Sequence, residues 1–468
     1  MQIEQIYTNC LAQGSYYITS GNEAVIIDPL REVEPYLERA KRDGVKIKYI
    51  LETHFHADFV SGHLDLAKLT GAKIVYGPEA NPSFDFHSAK DNEILEVGKL
   101  KIKVLHTPGH TMESTCYLLL NEKGEEHAIF SGDTLFIGDV GRPDLAQKSA
   151  AMTMEQLAAK LFHSLRNKIM TLPDNVIVYP AHGAGSACGK NMSKETVSTI
   201  GEQKQQNYAL RVDMTEAEFI AEVTDGLLPP PGYFGMNVSM NKKGYDSISE
   251  VMKRGLTPLS IEAFDLLSSK KEVVILDTRN ANDFSQAFIK GSIFIGLEGQ
   301  FAPWVGALIP DVNQEIILIT EDGKEEETVK RLARVGYDNV LGYLNGGIVT
   351  WKNAGRNLEK INRITAEQLE KQLAGNPTVI DVRKPGEFEA EHLVSATSIP
   401  LDYLDQHLNE FPKNDYFVLH CAGGYRSMIA ASILKSKGYD NFADVIGGFS
   451  AISKTTAEKS SFVCPSKR

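Results

Sequence analysis

The chain has 468 residues, of which 42% are hydrophobic and 24% charged, and its formal net charge is -12 at pH 7. This length is too great for one hydrophobic core and predicts about three domains. The acidic balance argues against a nucleic-acid-binding protein, because phosphate binding requires clustered lysine and arginine.

The sequence predicts that the protein is located in the cytoplasm. The N-terminus lacks the charged region and apolar run of a signal peptide, and no apolar stretch is long enough to cross a bilayer. The five cysteines are odd in number and scattered, which is typical of free thiols in a reducing compartment rather than of a disulfide framework. We therefore expect no membrane partner.

The first part of the chain alternates strand-like and helix-like patterns. Apolar runs at 24–29 and 46–51 predict strands, and the stretch between them, 33–44, predicts a helix. A second helix is predicted over 63–71, closed by Gly71. Four later strand-like runs end in His, Asp or Thr, at 101–107, 114–120, 127–133 and 176–182. Polar residues at strand ends form the sites of α/β proteins, so we expect a site here.

A proline-rich segment, 227–237, interrupts this pattern and predicts a stiff connector or a wrap-around arm. Beyond it the chain repeats itself. Equivalent positions lie 102 to 105 residues apart, as in the pairs Ser260 and Thr365, Asp277 and Asp381, and Tyr337 and Tyr439. A unit of this length is a domain, so two tandem α/β domains are predicted.

A metal site is predicted from the polar residues at these strand ends. His54 and His56 lie in THFHADF, His110 in TPGHT, Asp133 in GDT and His182 in AHG. Any one of these histidines is equally well explained as a strand-capping loop residue. Four such segments in this order favour a shared metal pocket.

The order of these motifs resembles the metallo-β-lactamase superfamily, which implies an αββα sandwich with metals at one edge. Glyoxalase II-like thioesterases of that superfamily hold two metals and have a histidine directly after HxHxD. This chain has Phe59 there, and a phenyl ring cannot bind a metal. The remainder resembles the persulfide dioxygenases, which implies one Fe(II) per chain held by His54, His110 and Asp133. Two histidines and one carboxylate suit Fe(II) and O2 chemistry.

The same resemblance implies roles for further residues. His56, Asp58 and His182 would orient the ligands and bound water, although zinc relatives use His56 as a ligand, so its role stays open. Arg142 and Asp144 lie in DTLFIGDVGRPDL (133–145), which resembles the substrate-side loop of the dioxygenases. Arg142 would bind the substrate or pair with Asp144, and a plain loop salt bridge is an equal alternative.

A reactive cysteine is predicted in HCAGGYRS (420–427), between an apolar run and a helix. Backbone N–H groups and the helix N-terminus stabilise a thiolate there, Gly423 and Gly424 allow a tight anion-binding loop, and Arg426 adds a positive charge. The segment resembles the rhodanese active-site loop, CxxGxR, which implies sulfur transfer at Cys421. Phosphatases on this scaffold use a longer loop.

The middle repeat departs from this pattern. At the matching position it reads ITEDGK (319–324), without a thiol, and Glu321 is assigned to the position of the nucleophile. Glu321 and Asp322 would repel an anionic sulfur donor. We therefore expect an inactive scaffold domain.

These resemblances imply an αββα dioxygenase domain (1–226), a proline-rich linker (227–254), a degenerate rhodanese domain (255–358) and a catalytic rhodanese domain with a parallel sheet (359–468). The implied function is oxidation of a low-molecular-weight thiol persulfide by O2 to sulfite and thiol, coupled to thiosulfate formation at Cys421.

Two rival functions remain open. One is a zinc-dependent glyoxalase II-like thioester hydrolase, against which Phe59 argues. The other is a sulfur-carrier or binding module with a vestigial metal site, against which the presence of His110 and Asp133 argues. The identity of the thiol carrier, the role of Cys188, the formation of a homo-oligomer and the direction of sulfur transfer also stay open. Cys188 is more simply a packing residue than a sulfur relay.

Overall fold

The structure is a computed structural model that describes residues 1–147, 151–227 and 229–463. Cys464, for which the sequence suggests no partner, lies outside these residues. The chain forms two compact units. The first contains residues 1–250 and 332–337, and the second contains 251–331 and the chain from 338 onward. Within the described ranges, no helix has both the length and the apolar character needed to span a membrane.

The first unit is built from two sheets and the helices that cover them. Its strands are β1 (Gln2–Thr8), β2 (Gln13–Ser20), β3 (Glu23–Ile27), β4 (Lys46–Leu51), β5 (Lys73–Tyr76), β6 (His87–Ser88), β7 (Ile94–Val97), β8 (Leu100–His106), β9 (Thr115–Leu120), β10 (Glu126–Gly132), β11 (Ile177–Pro180) and β12 (Ser198–Thr199). Its helices are α1 (Glu34–Asp43), α2 (His63–Thr70), α3 (Met154–Ser164), α4 (Ile200–Gln206), α5 (Glu216–Thr224) and α6 (Phe234–Lys243), with a π-helix at Leu165–Ile169 and a 3-10 turn at Tyr208–Leu210. The helix α7 (Ile248–Gly255) follows.

These strands form two six-stranded mixed sheets packed face to face. The orders are β1-β2-β3-β4-β5-β6 and β12-β11-β10-β9-β8-β7. Side chains alternate along each strand. In β2, Tyr16 and Ile18 join the core between the sheets, whereas Tyr17 packs in the outer layer with Tyr36 of α1. In β9, Leu119 faces inward and Leu118 faces the layer that contains α3. The predicted αββα sandwich is confirmed.

The second unit contains two parallel five-stranded sheets with the same strand order. The first repeat has β13 (Pro258–Leu259), β14 (Val273–Asp277), β15 (Ile293–Phe294), β16 (Glu315–Ile319) and β17 (Val340–Leu344), and the second has β18 (Asn362–Ile364), β19 (Thr378–Asp381), β20 (Ala396–Ser398), β21 (Phe417–His420) and β22 (Phe442–Val445). The orders are β13-β17-β16-β14-β15 and β18-β22-β21-β19-β20. The predicted tandem repeat with parallel sheets is confirmed.

Helices connect these strands in both repeats. They are α8 (Ile261–Ser268), α9 (Ala281–Gln286), α10 (Phe301–Leu308), α11 (Glu325–Arg334), α12 (Gly347–Asn353), α13 (Ala366–Gln372), α14 (Pro385–Ala390), α15 (Tyr425–Ser436) and α16 (Gly448–Ile452), with 3-10 turns at Leu373–Gly375, Leu401–Gln406 and Leu408–Glu410. An equivalent ion pair follows the second strand of each repeat, with Nη2–Oδ2 distances of 2.6 Å for Arg279–Asp277 and 2.6 Å for Arg383–Asp381.

The segment after the prolines contributes a helix to the first unit. Asn241 of α6 is buried, and its Nδ2 donates to the carbonyl oxygens of His56 and Phe59 at 2.8 Å each. Its Oδ1 accepts from the backbone N–H of Ser61 at 2.9 Å. One side chain therefore pairs three backbone groups of the loop that carries HxHxD.

Replacing Asn241 with alanine should loosen this loop. Three buried backbone groups would lose their partner, which costs about 2–4 kcal/mol. Hydrogen exchange over residues 54–61, followed by mass spectrometry, measures this as faster exchange. The control is Ser239→Ala on the same helix, where we expect a change within about 0.5 kcal/mol. Equal exchange in both variants would contradict the role of Asn241.

Candidate metal centre and sulfur-transfer site

The loop after β4 is fixed by Asp28, which follows β3. The carboxylate of Asp28 accepts from the backbone N–H and from the hydroxyl of Thr53, at 2.8 Å each. Because this hydroxyl donates its hydrogen bond to Asp28, its oxygen accepts a hydrogen bond from Nδ1 of His54 at 3.0 Å. The lone pair of His54 is therefore on Nε2, which lies 3.7 Å from Oδ2 of Asp133.

His110 is oriented in the same manner. Its Nδ1 donates to the carbonyl oxygen of Arg142 at 2.9 Å, which leaves the lone pair on Nε2, 3.5 Å from Oδ2 of Asp133. This contact needs a glycine at position 141, because a Cβ there would stand 1.9 Å from the carbonyl oxygen of Asp133 and 3.0 Å from Nδ1 of His110.

The ligand atoms of His54, His110 and Asp133 all lie within 4.8 Å of one another, and all three residues are buried. Oδ2 of Asp133 has no hydrogen-bond donor among the described residues. Two imidazole lone pairs and a carboxylate oxygen thus face one point, an arrangement that fits a metal ion. Burial by itself disfavours the charged carboxylate, but the charge and the hydrogen bond of His182 hold the pKa of Asp133 well below its usual range.

His182 and Asp58 support Asp133 from the other side. Nδ1 of His182 donates to Oδ1 of Asp133 at 2.7 Å, and its Nε2 lies 2.8 Å from Oδ2 of Asp58. Burial lowers the pKa of His182, but Asp133 and Asp58 together outweigh burial and raise it well above the usual value. This pairing holds the Asp133 carboxylate in the orientation that points Oδ2 at the two other histidines.

His56 lies in a different group. Its Nε2 is 3.1 Å from Oδ1 of Asp28 and 3.7 Å from Oε2 of Glu52, and these three residues form a separate buried cluster. The ring of Phe59 lies beside it, with centroids 4.3 Å apart. The predicted roles of His56, Asp58 and His182 in orienting ligands and water stay predictions.

Arg142 is largely buried and pairs with Asp144. Its Nε and Nη2 donate to the two carboxylate oxygens at 2.7 Å each, and its Nη1 donates to the carbonyl oxygen of Ala187 at 3.1 Å. The carbonyl group of the same residue orients His110. This geometry is the loop salt bridge that the sequence left as one alternative, and substrate binding by Arg142 and Asp144 stays a prediction.

Cys188 is a buried thiol next to this centre. Its sulfur lies within 4.8 Å of ligand atoms of Asp58 and His182. Burial, and then the Asp58 and Asp133 carboxylates, raise the pKa of Cys188 well above the usual value. The neutral thiol form is therefore favoured at this position, where a reactive thiolate is not expected.

Cys421 occupies the turn between β21 and α15. The backbone N–H of Gly424 donates to its sulfur at 3.1 Å, and Gly424 has φ of 103°, a left-handed conformation that favours glycine. Arg426 is bound by Glu387 of α14, with Nη1–Oε2 and Nη2–Oε1 distances of 2.5 and 2.8 Å. The hydrogen bonds and the ion pair with Glu387 raise the pKa of Arg426. The sequence did not predict this pairing.

The matching loop of the middle repeat differs in more than its thiol. Asp277 pairs with Ile319 in the same parallel register in which Asp381 pairs with His420. The residue equivalent to Cys421 is therefore Thr320, and the assignment of Glu321 to the nucleophile's position is wrong by one residue. Oε1 of Glu321 instead accepts from the backbone N–H of Asn280 at 3.0 Å.

A cavity of about 760 Å³ opens at Cys421 within the second unit. Both repeats contribute to its wall. The middle repeat supplies Asn282 and Trp304 among others, and the last repeat supplies Arg363 and Lys384 beside the Cys421 loop. None of these four residues belongs to a motif identified in the sequence. They meet at one cavity only because the fold brings distant parts of the chain together.

Comparison with known proteins agrees with both centres. Residues 9–182 match the metallo-beta-lactamase superfamily, and residues 260–354 and 365–455 match the rhodanese-like domain. The chain is 31% identical to a probable hydroxyacylglutathione hydrolase of Schizosaccharomyces pombe over 42% of this chain and 80% of that protein. It is 30% identical to the mitochondrial persulfide dioxygenase ETHE1 of Bos taurus over 47% of this chain and 79% of that protein. The crystal structure of a metallo-beta-lactamase from Staphylococcus aureus subsp. aureus COL covers 74% of this chain and 99% of its own, with 32% identity and a TM-score of 0.65.

His63 packs against the buried cluster that contains Glu52 and His56, and its titration makes the stability of the protein depend on pH. Its Nδ1 lies 3.3 Å from Oε1 of Glu52, and burial, with a contribution from His56, lowers the pKa of His63 to about 3. The unfolded chain takes up a proton as pH falls below about 6.5, and the folded chain does not. The folded protein therefore loses stability as pH falls from about 6.5 towards 3.

Replacing His63 with glutamine should remove this dependence. Relative to the variant, the parent should lose about 1.4 kcal/mol of unfolding free energy between pH 7.5 and 5.5, measured by denaturant titration at both values. The control is His163→Gln, whose side chain is exposed on α3, where no such difference is expected. Parallel pH profiles for the parent and the His63 variant would refute the assignment.

Proposed function

Because the chain belongs to the metallo-β-lactamase superfamily and carries two rhodanese-like domains, we propose that it oxidises a low-molecular-weight thiol persulfide with O2 at a single iron and exchanges sulfane sulfur at Cys421. The observation that carries the proposal is the convergence of His54, His110 and Asp133. Phe59, which stands where two-metal relatives have a histidine, supports one metal rather than two.

The three residues would hold the ion through Nε2 of both histidines and Oδ2 of Asp133. Bound Fe(II) would supply the redox chemistry through which O2 oxidises the terminal sulfur of the persulfide. The overall reaction is R–S–SH + O2 + H2O → R–SH + SO3²⁻ + 2H⁺. Iron is supported because two histidines and one carboxylate with open positions are the ligand set of non-haem Fe(II) oxygenases.

The surrounding side chains fix this geometry. The hydroxyl of Thr53 and the carbonyl oxygen of Arg142 each accept a hydrogen bond from Nδ1–H of one histidine, so both Nε2 atoms keep their lone pairs for the metal. His182 holds Asp133 through Oδ1 and leaves Oδ2 available. The phenyl ring of Phe59 is fully buried and lies beside His56, with ring centroids 4.3 Å apart.

Cys421 is proposed as the sulfur acceptor and donor. Its thiolate attacks the terminal sulfur of a persulfide, the S–S bond of the donor breaks, and the donor leaves as a thiolate. The resulting Cys421–S–SH then reacts with sulfite, according to Cys–S–SH + SO3²⁻ → Cys–SH + S2O3²⁻. The N–H of Gly424 stabilises the thiolate in both steps.

A second candidate is a zinc-dependent thioester hydrolase. It is favoured by the relatives named hydroxyacylglutathione hydrolase, which are as similar to this chain as the persulfide dioxygenases are. Phe59 argues against it, because this position lacks the histidine that completes a two-metal centre.

The metal content separates the two candidates. Protein purified anaerobically should contain about one iron per chain, and His110→Ala should lose both the iron and O2 uptake with a persulfide substrate. The control is His106→Ala, which removes a nearby half-buried histidine that binds the carbonyl oxygen of Met112 instead of joining the cluster. Two zinc ions per chain together with thioester hydrolysis would contradict the proposal.

Replacing Cys421 with serine should change the product and spare the oxidation. The variant should consume O2 at the parental rate but release mostly sulfite where the parent releases thiosulfate, because tethered centres on one chain favour the exchange. It should also lose all thiosulfate-to-cyanide transfer, since Thr320 replaces the thiol in the middle repeat. An unchanged ratio of sulfite to thiosulfate would refute the coupling, and residual cyanide-dependent transfer would assign activity to the middle repeat. The matched control is Cys116→Ser, a buried thiol of the first unit.

A further inference from the structure

The cavity at Cys421 is larger than a small inorganic anion requires. Its volume of about 760 Å³ lies in the range of pockets that hold whole metabolites. Three cations line it, namely Arg363, Lys384 and Arg426, together with the carboxylates of Glu298 and Glu387.

Arg426, the cation of the CxxGxR motif, is already neutralised. Both of its terminal nitrogens are bound to the carboxylate of Glu387. Lys384 is exposed at the edge of the cavity, and a solvated ammonium contributes little binding energy. These two residues are therefore poorly suited to select a donor.

Arg363 of β18 has the geometry that the other two lack. Its Nε donates to Oδ2 of Asp444 at 3.0 Å, and its Nη1 donates to Oδ1 of Asn282 in the middle repeat at 2.6 Å. Its Nη2 has no hydrogen-bond partner among the described residues. Nη2 lies 3.6 Å from the position that a Cβ would take on Gly424, directly against the Cys421 loop. Two of the three guanidinium nitrogens are therefore held, and the third lies beside Gly424 in a residue that lines the cavity.

Asp444 is well suited to hold this guanidinium. It is buried, and its second oxygen accepts from the hydroxyl of Ser427 at 2.5 Å. Ser427 lies on the first turn of α15, directly after Arg426, so Asp444 links Arg363 to the helix that begins at the Cys421 loop. A guanidinium that is held at two of its nitrogens loses little conformational entropy when the third nitrogen binds a ligand.

We propose that Arg363 binds the anionic group of the sulfur donor at Cys421, and that Asn282 of the middle repeat positions its guanidinium. This inference rests on the proposed sulfur transfer at Cys421. The ligand chemistry is a carboxylate, sulfonate or thiosulfonate oxygen, which accepts charge-assisted hydrogen bonds from Nη2. Both thiosulfate and a carboxylate-bearing organic persulfide carry an oxygen of this kind. The middle repeat, which lacks the thiol, thus takes part in selecting the substrate.

The test uses the full chain and measures Cys421 persulfide by mass spectrometry in single-turnover reactions. The donors are thiosulfate, a carboxylate-bearing organic persulfide and an uncharged organic persulfide. Arg363→Gln should raise the half-saturating concentration of an anionic donor about ten- to a hundredfold, the loss expected for one charge-assisted hydrogen bond. The limiting rate should change much less, and the uncharged donor should be affected at most about threefold. Arg363→Lys, which keeps the charge, should recover part of the affinity.

Asn282→Ala tests the positioning role on an exposed residue that does not endanger folding. The substitution alone should raise the half-saturating concentration of an anionic donor about three- to tenfold. In the Arg363→Gln background it should cause no further increase, because both substitutions act through the guanidinium of Arg363. The control is Arg356→Gln, an exposed arginine outside the cavity that pairs with Asp265.

The outcomes are distinct. An effect limited to thiosulfate assigns the site to the inorganic donor, and an effect limited to the organic acid assigns it to the persulfide. Equal losses for charged and uncharged donors, or no change in half-saturation for either anionic donor, would overturn the inference. If the parent forms no Cys421 persulfide with any donor, the proposed sulfur transfer fails and this inference fails with it.

Discussion

The first unit depends on keeping a carboxylate ionised where water cannot reach it. Asp133 is buried with one oxygen bound to His182 and the other without a donor among the described residues. The raised pKa of His182 makes it one cation between two buried carboxylates, those of Asp58 and Asp133, so one negative charge is left for a metal ion to balance. The lone pairs of His54 and His110 face the same oxygen. Metal binding would therefore stabilise the fold of the loops as well as provide the chemistry.

The residues of this centre could be predicted because strand ends carry local signals. The runs at 46–51, 101–107 and 127–133 end in or next to the polar residues of the site, and β4, β8 and β10 agree with these runs to within one residue. Short apolar runs predict strands, and the ends of neighbouring strands meet at one edge of the sheet that they form. The order of the motifs favoured a shared metal pocket, and the resemblance to the persulfide dioxygenases implied His54, His110 and Asp133 as its ligands.

The contacts that orient these residues could not be predicted in the same way. Asn241 lies some 180 positions from the loop it holds, and no local pattern relates an asparagine on one helix to three backbone groups elsewhere. Glu387 and Arg426 are likewise far apart, and the pairing of Glu387 is visible only when α14 is placed beside the Cys421 loop. Register is similarly sensitive. A shift of one residue placed Glu321 where the strand pairing puts Thr320.

The two rhodanese-like repeats share one scaffold and differ at the turn that carries Cys421 in the last repeat. Both retain the buried Asp–Arg pair after the second strand, which holds the loop geometry. At the turn that matches the Cys421 loop, however, the middle repeat has Thr320 for the thiol and, by the same register, Glu325 for Arg426. Asn282 and Trp304 lie in the wall of the cavity at Cys421, so substitutions in the middle repeat would alter the wall of the proposed sulfur-transfer site.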